Sequence, residues 1–149
     1  MLAGLLLAIL LVNSPVVMVA QTPKQVKKLL GDKINQRLDA YYHARTLAGL
    51  EEVVKAAKEF LAVPPDDFGS AVGDIWATAA LAKALGDGVE WKIYPDVENF
   101  KAWAEKALTL LESDFAKSAN ISNFQQFREH AIRQIKMADP KARPRYVQL

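Results

Sequence analysis

The feature that most constrains this chain is a helical period in its apolar residues, repeated with interruptions from residue 23 to Pro140. Its clearest stretch is Val97, Phe100, Trp103, Ala104, Ala107, Leu108, Leu111 and Phe115, spaced three and four apart so that all fall on one face of a helix. Asp96 stands where an N-cap belongs. The same spacing recurs in Val26, Leu29, Leu30, Ile34, Leu38, Tyr41 and Tyr42, with Thr22 and Pro23 as cap and first turn, which predicts a first helix over 23–45.

A second stripe follows in Leu47, Leu50, Val53, Val54, Ala57, Phe60 and Leu61. At 100° per residue, the first stripe centres about 60° from Val26 and the second about 230° from it, nearly the opposite face. One straight helix cannot put both on one core, so a break is expected between Arg45 and Leu50.

After Pro64 and Pro65, an acidic cap at Asp66 or Asp67 opens a third helix carrying Phe68, Val72, Ile75, Trp76, Ala79 and Leu85. Gly86-Asp87-Gly88 reads as its end, and the following "VEWKIYP" as a short extended connector. Ser122 with Gln125 resembles a capping box for a last helix bearing Phe124, Phe127, Ala131, Ile132 and Ile135, stopped by Pro140. The predicted fold is therefore all-α, an antiparallel bundle of four to five amphipathic helices.

The chain divides into an apolar opening over 1–20, the bundle over 21–139 and a basic, extended tail over 140–149. Leu2 to Val12 is uninterruptedly apolar, Pro15 follows, Ala20 is a suitable small residue for cleavage, and the first charge is Lys24. That order resembles a secretory signal peptide, although no basic residue precedes the run. The rival readings are a retained membrane anchor, since about 20 apolar residues just span a bilayer, and a segment buried in the protein or a partner. The first two place the protein in an exported compartment (periplasm, lumen or outside the cell) or at a membrane.

A net charge of +2 conceals a pattern: +4 over 24–45, −6 over 51–117 and +4 over 128–145. The basic set Arg128, Arg133, Lys136, Lys141, Arg143 and Arg145 is the candidate interaction surface. It suits an acidic protein surface or anionic lipid headgroups. Nucleic acid is not expected as a partner, because the overall charge is far from that of a basic binder.

No cysteine is present, so disulfides, thiolate metal sites and thiol catalysis are excluded. Glu-x-x-His pairs, His-Glu-x-x-His, a phosphate-binding glycine loop and a nucleophile elbow are all missing. No catalytic, metal-binding or cofactor-binding residues are therefore assigned, and no cofactor is expected. Haem held between the two histidines, His43 and His130, is geometrically discouraged because both point away from their helices' apolar stripes. The sequence thus predicts a non-enzymatic accessory subunit docking on a larger, membrane-associated protein assembly. The alternative is a small-ligand or haem carrier that uses the bundle interior, with His130 or His43 as ligand.

Overall fold

The computed structural model describes residues 21–138, all of whose regular structure is helical. The apolar opening over 1–20 and the basic tail over 140–149 lie outside the described residues. Five long helices and one short one follow in order: α1 (Pro23–Ala44), α2 (Leu47–Ala62), α3 (Phe68–Glu90), α4 (Val97–Leu111), α5 (Asp114–Ala119) and α6 (Ser122–Ala138).

The predicted break after the first stripe is sharp. Arg45 takes a left-handed backbone conformation (φ 51°) as the cap of α1, and Thr46 starts α2 by accepting a hydrogen bond from Gly49 N–H at 3.1 Å. The α1–α2 hairpin is then clamped by Lys33–Glu59 at 2.8 Å and Arg37–Glu52 at 3.7 Å, pairs that fix the two helices as antiparallel. At the start of α1 the capping box between Thr22 and Gln25 is complete, and Asp67 and Asp96 cap α3 and α4.

Helix α3 is the centre of the molecule, packed against α1, α2, α4, α5 and α6. Side-chain contacts give its neighbours' directions. Lys27 pairs with Asp74 and Tyr42 reaches Asp87, so α1 runs parallel to α3; on α6, Gln134 meets Asp87. Gly73 faces Phe60 while Gly88 faces Leu50, so α2 runs against α3. The centre of α3 is alanine-rich, with Ala77, Ala79, Ala80, Ala82 and Ala84 buried, which lets neighbours approach on several sides.

Three sequence expectations are corrected. Gly86-Asp87-Gly88 does not end the third helix: all three residues are buried within α3, which runs on to Glu90, and Lys92 supplies the left-handed turn after it (φ 60°). These glycines serve close approach rather than a left-handed backbone. A Cβ on Gly86 would collide with the Gln134 amide, and one on Gly88 would lie 3.0 Å from both Leu50 and the Tyr41 hydroxyl. The expected extended connector is accordingly shortened, because Val89 and Glu90 are helical.

The stripe of α4 also ends early. Ser113 breaks it and caps α5, where Phe115 is 38% exposed and packs on the exposed Phe68 ring, centroids 5.4 Å apart. Finally, Ser122 lies inside the first turn of α6 and forms no capping box; the Gln125 amide donates to Glu129 instead. The left-handed Asn120 turns the chain between α5 and α6.

Candidate functional site

One cluster of polar side chains is built into the interior where α1, α3 and α6 meet. At its centre Asp87, on α3, has a side chain only 9% exposed. Its Oδ2 accepts hydrogen bonds from the Tyr42 hydroxyl and the Lys83 ammonium, each at 2.7 Å, and its Oδ1 accepts one from the Gln134 amide at 3.0 Å. Lys83 also donates to the Tyr42 hydroxyl at 3.2 Å and lies over the Tyr42 ring. Gln134 is buried beside the missing side chain of Gly86, which makes room for its amide.

Electrostatics keep the cluster in one protonation state. Burial would raise the Asp87 pKa, but His130, Lys83 and Tyr42 together outweigh it and hold the carboxyl below its ordinary value. For Tyr42, burial and the hydrogen bond to Asp87 push the phenol far up. Tyr41 next to it is raised to about 12, first by burial and then by the Asp87 charge, against the opposing Arg45. At neutral pH the cluster therefore holds one carboxylate and two neutral phenols. Asp87, enclosed and multiply bonded, acts as an internal counter-charge that positions Lys83.

His130 stands at the edge of this cluster. Its Nδ1 accepts from the Arg133 guanidinium at 2.8 Å, an assignment that puts the ring proton on Nε2. That buried Nε2 has no hydrogen-bond partner and lies 3.6 Å from Asp87 Oδ1, a Coulombic contact too long for a hydrogen bond. His43 has a different setting: its side chain is 80% exposed, with Nδ1 2.8 Å from the Asp39 carbonyl one turn back.

A groove of about 350 Å³ opens beside the cluster, between α3 and α6. It is lined by Trp76, Lys83, Asn123, Gln126, Phe127 and His130. On α3, Trp76 and Lys83 are seven residues apart and share a face; Asn123, Gln126, Phe127 and His130 do the same on α6.

Of the basic residues singled out in the sequence that the structure describes, Arg133 reaches the edge of this site and Arg128 and Lys136 do not line it. Arg128 pairs at 3.0 Å with Glu112, the residue that caps the end of α4, and Arg133 leans on His130. Lys136 is exposed in the last turn of α6. Lys141, Arg143 and Arg145 lie outside the described residues. Trp91 covers the end of the bundle, its ring 5.7 Å from that of Tyr41 and 5.8 Å from that of Tyr42, with Arg45 stacked over it at 4.4 Å.

Sequence reasoning missed the Asp87 cluster because a Gly-Asp-Gly triplet reads as a helix stop. A signal was nonetheless present: at 100° per residue, Lys83 and Asp87 fall within about 20° of Trp76 and so on a face already expected to be apolar. Among the described residues no group of three or more acidic or histidine side chains is arranged to hold a metal ion, and no helix is long and apolar enough to cross a membrane. No family model, curated protein or solved structure matches this chain.

Proposed function

We propose that this chain is a non-enzymatic accessory subunit, exported or membrane-attached, that docks on a larger membrane-associated protein assembly. The observation that carries this reading is the exposure of Arg128, Arg133 and Lys136 on α6, followed in the sequence by Lys141, Arg143 and Arg145. The apolar opening sequence supports delivery to a membrane or across one. An anionic surface would gain about 1 kcal/mol from each such side chain. Reversing Arg133, Lys136, Arg143 and Arg145 to Glu should therefore lower the membrane-bound or assembly-bound fraction by roughly a hundredfold or more. Co-fractionation of the full chain measures this, and an unchanged bound fraction with the fold intact would overturn the charge-docking reading.

A second reading, a small-ligand carrier, is favoured by the groove between α3 and α6. It has an aromatic wall, a few converging polar groups and a neighbouring buried ion pair, and its size is near the lower end of the roughly 300–1,000 Å³ usual for small-molecule sites. Equilibrium dialysis of the purified full chain against aromatic and aliphatic acids tests it; absence of any saturable binding would count against it.

A further inference from the structure

We infer that the α3–α6 groove is a binding site for a small planar aromatic carboxylate, with the ring against Trp76 and Phe127 and the carboxylate on the Lys83 ammonium. This inference rests on the carrier reading and gives it a ligand class.

The charge of the ligand follows from counting donors. An ammonium has three N–H groups. Lys83 gives one to Asp87 and one to the Tyr42 hydroxyl, leaving a third, and its side chain is 36% exposed where it lines the groove. Trp76, Asn123 and Gln126, which line the same groove, bring an indole N–H and two side-chain amides that make no hydrogen bond among the described residues. Asp87, the carboxylate bonded to Lys83, is enclosed and has both oxygens engaged. Arg133, held on His130, adds a second positive charge at the rim. Spare donors call for an acceptor, and the Arg133 charge, which no described carboxylate balances there while Asp87 balances Lys83, favours an acceptor that is negative.

The shape of the ligand follows from the walls. Trp76 on α3 and Phe127 on α6 bring two aromatic side chains to the lining of the groove. A flat ring gains stacking there that a flexible chain does not. The rigidity of the cluster matters too: Tyr42, Asp87 and Gln134 fix Lys83 before any ligand arrives, which lowers the ordering cost of binding.

Two-dimensional NMR of the full chain provides the test, because three tryptophans give three indole N–H signals and Trp76→Phe assigns the reporter. The probes are 2-naphthoate, the neutral 2-naphthamide and the aliphatic decanoate. Naphthoate is expected to shift the Trp76 signal saturably with Kd on the order of 0.1–1 mM, and the amide to bind at least about tenfold more weakly. Lys83→Gln should lose roughly tenfold in naphthoate affinity, while an unmoved Trp103 signal reports an intact fold. If 2-naphthamide or decanoate moves the Trp76 signal as well as naphthoate does, the carrier reading survives and the aromatic-carboxylate class is overturned. If no probe moves it, the carrier reading and the ligand class both fall. Naphthoate binding unchanged in a folded Lys83→Gln variant overturns the role given to Lys83.

Discussion

Asp87 shows how one side chain sets a local rule. Its neighbours hold its pKa below the ordinary 3.8 despite burial, so the folded state favours the charged form. Such a carboxylate contributes stability above its unfolded pKa and loses it as pH falls through the depressed folded value. Asp87→Asn should therefore cost about 1–3 kcal/mol at neutral pH, through the weakened bonds from Lys83 and Tyr42. The difference from the parent should shrink as pH drops below 3.8. Urea unfolding of both proteins at neutral and strongly acidic pH measures it; an equal difference at both would mean that the charge is immaterial. The tyrosines set the opposite limit. Because Tyr41 is raised from 10.0 to about 12, stability should decline as pH rises across that interval.

Among the helices, periodicity made most starts and stops legible. Thr22, Asp67 and Asp96 cap where expected, and the break after Arg45 follows from two stripes on opposite faces. Glycine misled, because it serves two purposes that look identical in a sequence. In α3 it admits a neighbour, and that need becomes visible only once Gln134 is placed beside Gly86. Leu29 misled differently: it shares the spacing of Ile34 and Tyr41 yet is 56% exposed, whereas Lys27 is 3% exposed. The separation of roles makes a prediction. Gly86→Ala should gain about 0.8–1 kcal/mol of helix propensity but displace Gln134 from Asp87, for a net loss of about 1 kcal/mol or more. In a Gln134→Ala background the same change should stabilise the protein. A double-mutant cycle by thermal or chemical unfolding checks this, and identical effects in the two backgrounds would contradict it.

For the molecule as a whole, the all-helical class was legible but the central position of α3 was not. Alanines count as apolar on every face, so its sequence reads as one more amphipathic helix while its neighbours enclose it. Amide hydrogen exchange should then be slowest in the middle of α3 and fastest in α5, six residues long with few packing partners; equal protection in the two would argue against a central α3. Lys27 gives this arrangement a chemical readout. Its ammonium is used inside, donating to the Phe60 carbonyl at 3.1 Å, pairing with Asp74 and lying 4.1 Å from the Phe60 ring centre. Amine-reactive reagents, which meet the exposed Lys24 and Lys28 on either side, can reach Lys27 only when the start of α1 swings away from α2 and α3. The acylation rate of this one lysine is thus a clock for how often the first helix lets go.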